Sequence, residues 1–186
     1  MAGTMTLILG GARSGKSTYA QKMVEADGRS ALFVATATAG DEEMATRIAA
    51  HRASRPSYWQ TLEAPLDLGR QIASAPQTLW VLVDCITLLT SNVLFACPEP
   101  VEEKLFRTKL EHEIECLIQA AGIHGGDWVL ISNEVGMGLV PPHALSRYYR
   151  DGLGWANQRL AQEADTVILM VAGLPLFVKK MPDDEF

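Results

Sequence analysis

Basic residues are in the minority, and cysteine and long apolar runs are scarce. Sixteen Lys and Arg face 22 Asp and Glu, a formal net charge of −6 with histidine neutral. An acidic chain without a basic stripe is not a general nucleic-acid binder. The three cysteines, Cys85, Cys97 and Cys116, form no CxxC pair and leave one over. They read as reduced thiols of a cytoplasmic protein rather than a disulfide framework. The longest apolar run, 167–178, contains Gly173 and Pro175 and is too short and too broken to span a bilayer. No basic stretch precedes the first apolar run, so the start of the chain does not read as a signal peptide. Internal repeats and low-complexity segments are also missing, which excludes solenoids and arrays.

What is present suffices for a core. Of 186 residues 48% are hydrophobic and 20% charged, which excludes a disordered chain and predicts a single domain over residues 1–186. Short runs rich in Val, Ile and Leu occur at 6–9, 31–35, 79–83, 128–131 and 167–172. They lack polar alternation, as strands of a parallel sheet covered on both faces do. Helical patterns lie between them, at 17–25, 42–52, 101–121 and 153–163, with a further short one at 86–94. Alternation of strand and helix over the whole length predicts a three-layer α/β domain with a mostly parallel sheet. After Leu174 and Pro175, residues 176–179 are expected to turn back as an antiparallel edge strand.

Directly after the first predicted strand stand Gly10, Gly11, Ala12, Arg13, Ser14, Gly15, Lys16 and Ser17, a full GxxxxGK[ST] pattern. Glycines let successive backbone N–H groups turn inward toward phosphate oxygens, and the following helix adds the positive end of its dipole. Lys16 suits the β- and γ-phosphates, and the Ser17 hydroxyl suits Mg²⁺. A second metal-side carboxylate is expected at the end of another strand, where Asp84 follows Leu79, Trp80, Val81, Leu82 and Val83; metal work outweighs the alternative, a cap on the helix that follows. The chain is therefore expected to bind a nucleoside triphosphate. No [NT]KxD element occurs, which argues against a switch GTPase.

Residues 41–63 are less usual. Asp41, Glu42 and Glu43 suit a helix start and Arg52 its end. Met44, Ile48 and His51 share a face of that predicted helix, and Arg47 stands four residues before His51. Pro56 ends it. An imidazole among guanidiniums is a competent nucleophile for a phosphate, with fixed positive charge for the transition state. Taken alone, a solvated or capping histidine and an Arg47–Glu43 pair explain the segment better than a nucleophile does.

These motifs together resemble the bifunctional adenosylcobinamide kinase/adenosylcobinamide-phosphate guanylyltransferases. The likeness is carried by GGARSGKS, by Ala35 and Thr36 at a strand end, and by the histidine segment. It is carried also by Asp84-Cys85-Ile86-Thr87, by Asn133-Glu134-Val135-Gly136-Met137-Gly138, by Tyr149-Arg150-Asp151 and by Asn157-Gln158-Arg159-Leu160-Ala161, and it runs from about Thr6 to about Val178. It implies phosphorylation of adenosylcobinamide by ATP or GTP, then transfer of GMP from GTP through a guanylylated histidine, giving adenosylcobinamide-GDP and pyrophosphate. Residue by residue it implies His51 as nucleophile and Lys16 as the phosphate-loop catalyst. Gly10 to Ser17 would hold phosphates. Ala35, Thr36 and Ala37 would line the nucleotide, although Ala37 stands where serine is more usual. Arg52, Ala53, Ser54, Arg55 and Glu63 would contact nucleotide or guanine, and Asp84 and Ser17 the Mg²⁺. A RecA-like P-loop fold and a trimer are implied too.

Two other readings fit part of the chain. A P-loop kinase for another small alcohol explains Lys16, Ser17 and Asp84 but leaves the histidine segment without a purpose. A nucleotide-dependent binding module requires GTP binding without a covalent adduct. Neither KxDG nor His-x-His occurs, so lysine-linked guanylylation and histidine-triad chemistry have no support.

Overall fold

The computed structural model describes residues 3–38, 42, 46, 52 and 55–180. Among them, seven strands form one sheet: β1 (Met5–Gly10), β2 (Ala31–Ala35), β3 (Gln60–Glu63), β4 (Trp80–Asp84), β5 (Asp127–Ile131), β6 (Thr166–Val171) and β7 (Leu174–Lys179). The order across the sheet is β3-β2-β4-β5-β1-β6-β7. All neighbours are parallel except β6 and β7, which pair antiparallel at the edge. The described helices are α1 (Lys16–Ala26), α2 (Leu68–Ala73), α3 (Ile86–Phe95), α4 (Glu103–His124) and α5 (Ala144–Glu163).

The apolar runs lack alternation because each strand is buried on both sides. Along β4, Val81 and Val83 point into one core and Leu82 into the other. The larger core lies beneath α2, α3, α4 and α5, with Ile72, Leu89, Leu110 and Leu160 against Leu7, Val34 and Leu130. The smaller lies beneath α1, where Ala20 and Val24 meet Ile8, Phe33 and Val129. Each of the larger side chains among them contributes about 1.5–3 kcal/mol by leaving water. Among the described residues no helix is long and apolar enough to cross a membrane.

Three elements differ from the expectation. Strand β3 has no apolar run: its residues are mostly exposed, and pairing with β2 (Leu32 opposite Gln60) makes it a strand. Helix α2 is only six residues long, and it is capped from a distance. The Glu113 carboxylate on α4 accepts the Asp67 N–H at 2.7 Å and the Leu68 N–H at 3.4 Å. Helix α5 begins at Ala144, earlier than 153, and runs through Gly152. That glycine is a contact point, since a Cβ there would lie 2.7 Å from Phe106 Cε1 on α4. The predicted helix 42–52 falls on residues of which only 42, 46 and 52 are described, so it lies outside the described residues.

Candidate functional site

The chain leaves β1 toward β2 on one side, while β6 lies on the other, so β1 stands where the strand order reverses. Ligands of open α/β sheets bind in the crevice that such a reversal leaves at the carboxyl ends. The phosphate loop occupies that place. Gly10 closes β1 with its backbone against β6: a Cβ on it would lie 2.7 Å from the Met170 carbonyl oxygen and 2.6 Å from Ser14 Oγ. Gly15, at φ 94°, turns the chain into α1, whose first turn has no side-chain cap. Its free N–H groups are a phosphate-binding end.

Lys16 is almost fully buried, and its ammonium donates to the Gly11 carbonyl at 2.6 Å, which holds the charge over the loop. Burial lowers its pKa, opposed by the nearby Cys85 and Asp84. Asp84 ends β4, beside Ala35 of β2. Ser17 follows Lys16 on α1 and is half-buried.

Two neighbouring loops brace the phosphate loop. The Glu134 N–H donates to the Gly10 carbonyl at 3.1 Å, and the Gly173 N–H donates to the Ser14 carbonyl at 3.0 Å. Gly173 sits in the two-residue turn between β6 and β7, where Ala172 and Gly173 both have positive φ, 51° and 84°. The loop after β5 is tied down in turn. The Asn133 N–H donates to Thr87 Oγ1 at 2.8 Å, and Asn157 Nδ2 donates to the Asn133 carbonyl at 3.0 Å.

A cleft of about 400 Å³ opens beside this point, lined by Ala35, Ala37, Thr38, Arg52, Arg55 and Glu63. Arg52 Nη1 and Glu63 Oε1 are 3.4 Å apart, both side chains about two-thirds exposed (66% and 65%), so solvent leaves their pairing weak. Arg55 is better fixed: its guanidinium lies 3.5 Å above the centre of the Phe33 ring. Burial lowers its pKa, partly offset by Asp84. Its charge persists, since arginine does not lose a proton in proteins.

Thr36, in contrast, is fully buried, and its hydroxyl accepts the Cys85 N–H and donates to the Cys85 carbonyl, both at 2.8 Å. It ties the end of β2 to the end of β4. The fold thus brings Gly10 to Ser17, Ala35, Ala37, Arg52, Arg55, Glu63 and Asp84 to one end of the sheet. His51, Arg47, Ala53 and Ser54 lie outside the described residues. Sequence reasoning missed Gly173 and Asn92, whose Nδ2 donates to the Thr36 carbonyl at 2.8 Å and to the Pro65 carbonyl at 3.0 Å. A lone amide among the apolar and hydroxyl residues of helix α3 was the available signal for Asn92.

Residues 6–178 match the family described as cobinamide kinase / cobinamide phosphate guanyltransferase. The chain is 44% identical over 177 residues to the bifunctional adenosylcobalamin biosynthesis protein CobP of Pseudomonas aeruginosa, covering 95% of this chain and 98% of that one. It is 40% identical to the bifunctional adenosylcobalamin biosynthesis protein CobU of Salmonella typhimurium, covering 94% and 99%. Among solved structures, the RadB recombinase superposes with a TM-score of 0.50 at 17% identity, over 90% of this chain and 74% of that one. That likeness is one of fold, the RecA-like P-loop architecture.

Proposed function

Because the chain belongs to the cobinamide kinase / cobinamide phosphate guanyltransferase family, a family of bifunctional kinases and guanylyltransferases, we propose the following division of labour among its residues. The observation that carries it is the meeting of a buried, loop-held Lys16 with the Arg52–Arg55–Glu63 cleft at one end of the sheet. Triphosphate lies along Gly10 to Ser17, and the base extends past Ala35 and Ala37 toward Glu63, whose carboxylate can accept from guanine N1–H and N2–H₂ together.

In the kinase reaction the aminopropanol oxygen of adenosylcobinamide attacks the γ-phosphorus of ATP or GTP, the bond to the β-phosphate oxygen breaks, and the diphosphate leaves. The hydroxyl proton passes to a carboxylate, for which Asp84 and Glu134 are the candidates. Lys16 offsets the charge on the transferring group. In the second reaction the His51 imidazole attacks the α-phosphorus of GTP, forming a P–N bond as pyrophosphate leaves. The phosphate oxygen of adenosylcobinamide phosphate then attacks the same phosphorus, the P–N bond breaks, and His51 is restored. Arg52 and Arg55 supply fixed positive charge to both anionic transition states.

Ser17 and Asp84 offer hard oxygen donors of the kind Mg²⁺ takes. Among the described residues no group of three or more His, Cys, Asp or Glu converges, so the remaining ligands would come from phosphate and water. Bound there, Mg²⁺ would neutralise charge developing on the phosphate oxygens. A homotrimer in the cytoplasm completes the proposal, and light scattering of the purified chain measures the trimer directly.

The test is labelling with GTP carrying ³²P at the α-position, followed by intact-protein mass measurement and separate acid and alkali treatment. A phosphoramidate adds GMP to the chain, is lost in acid and persists in alkali. Formation should weaken below about pH 6.5, where histidine gains a proton. Loss of the adduct in His51→Ala, with some kinase activity retained, assigns the nucleophile. An acid-stable, alkali-labile label refutes the assignment.

A further inference from the structure

A second cleft, of about 420 Å³, lies between the end of α3, the loop 96–102 and the first turns of α5. None of the nucleotide chemistry above uses it. Leu94, Phe95, Val101 and Leu145 give it apolar walls, and its only charged lining residue is Glu99. With no Lys, Arg or His along the lining, it does not suit a phosphate. It suits a neutral or cationic body with broad apolar faces.

Two connections join this cleft to the nucleotide end of the sheet. Tyr149 lines it, and the Tyr149 hydroxyl reaches the Thr87 carbonyl at 3.5 Å, while Thr87 Oγ1 accepts the Asn133 N–H. Thr87 is three residues beyond Asp84. The loop after β5 makes the second connection. It carries Glu134, bonded to Gly10 of the phosphate loop, and leads into the first turn of α5, where Leu145 stands in the cleft wall. Along it Met137 is 82% exposed and Leu139 96%, and Phe95 in the cleft wall is 80% exposed. Large apolar side chains this exposed, on the cleft wall and on the loop that leads into it, are the kind a contact surface uses.

We propose that this cleft, with the loop 135–140 as its lip, seats the corrin ring of the acceptor substrate. The inference rests on the family's cobinamide-directed activity stated above and adds the place of binding. A corrinoid is a flat macrocycle with apolar faces, an amide-bearing rim and a cationic cobalt centre. The apolar walls match its faces, hydroxyls such as those of Ser146 and Tyr149 match its amides, and Glu99 matches its charge. A ring seated here directs its aminopropanol arm along the β5 loop toward the phosphate loop.

The experiment is equilibrium dialysis of cobinamide against the full chain, with GTP affinity measured in parallel. Leu145→Asp puts a charge in the wall at a half-exposed site near the N-terminus of α5, where an acidic residue is tolerated. Ser146→Trp fills the cleft from an exposed position. Both should weaken cobinamide binding at least tenfold and leave the GTP dissociation constant within twofold. Cobinamide affinity within twofold of the parent in both variants overturns the placement. So does a loss accompanied by a fall in molar mass by light scattering, which would make this face a contact between copies of the chain. If the parent chain itself binds no corrinoid and turns none over with GTP, the family-based reading falls, and the placement with it.

Discussion

At Lys16 two demands oppose each other: burial disfavours the ammonium, while the phosphate it serves requires it. The neighbouring Asp84 opposes that shift, and the hydrogen bond to the Gly11 carbonyl aims the ammonium over the loop. Lys16→Ala should therefore lower both the kinase and the guanylyl-transfer rates by about 100- to 1,000-fold, the usual cost of removing one preorganised donor. Retention of parental turnover in steady-state assays of either reaction would contradict the role. Cys85 carries a different consequence. Burial first, and then the charge of Asp84, push its thiol from 9.0 up to about 11. The folded chain thus holds a proton that the unfolded chain releases sooner. The resulting stability, about 3 kcal/mol at most, is complete below pH 9 and is lost as pH rises toward 11. Cys85→Ala should flatten the alkaline arm of a plot of urea midpoint against pH. An unchanged slope between pH 9 and 11 would show that the thiol does not titrate late.

Helix α5 offers a matched pair of glycines, two residues apart. A Cβ at Gly152 would meet Phe106 at 2.7 Å and Leu110 at 3.1 Å, whereas one at Gly154 meets nothing within 4 Å. Gly152→Ala should destabilise by about 1–3 kcal/mol through overpacking. Gly154→Ala should stabilise by about 0.5–1 kcal/mol, because alanine gives up less backbone entropy in a helix. Urea unfolding of the two variants reads both signs, and equal shifts would mean that α5 and α4 do not pack as closely as described. The same glycines show where sequence reading stopped. The central strands were legible because burial on both faces leaves a continuous apolar run, and the phosphate loop because its spacing is a local requirement. Strand β3 was not legible, since its pairing with β2 is a long-range event that leaves no mark on Gln60, Thr61 or Leu62. Nor was α2, whose cap, Glu113, lies more than forty residues away. In the site, Lys16, Asp84 and Glu63 could be singled out from local pattern and family resemblance. The bracing of the phosphate loop by Gly173 could not, because it depends on β7 turning back beside β1's neighbour.

Across the whole molecule, the two cores share one sheet, so neither can lose its packing without exposing strands that the other also covers. Leu82 and Val83 are adjacent residues of β4 and belong to different cores. The proposal of a single domain over residues 1–186 follows from that sharing and predicts one cooperative unfolding transition. The tryptophans sample it from several positions. Trp59 packs in the smaller core, Trp128 in the larger, Trp80 at the start of β4 and Trp155 on α5. Their fluorescence and the far-ultraviolet circular dichroism should therefore give coincident curves. Bound nucleotide should move the whole transition, because the phosphate loop is bonded both to the β5 loop and to the β6–β7 turn. GTP with Mg²⁺ at 100 times its dissociation constant adds about 2.7 kcal/mol to the folded state. For a chain of this size that raises the melting temperature by about 5–11 °C. Differential scanning calorimetry with and without nucleotide makes the measurement. A second, nucleotide-insensitive transition would mean that part of the chain folds independently of the phosphate loop, and the single-domain proposal would fail.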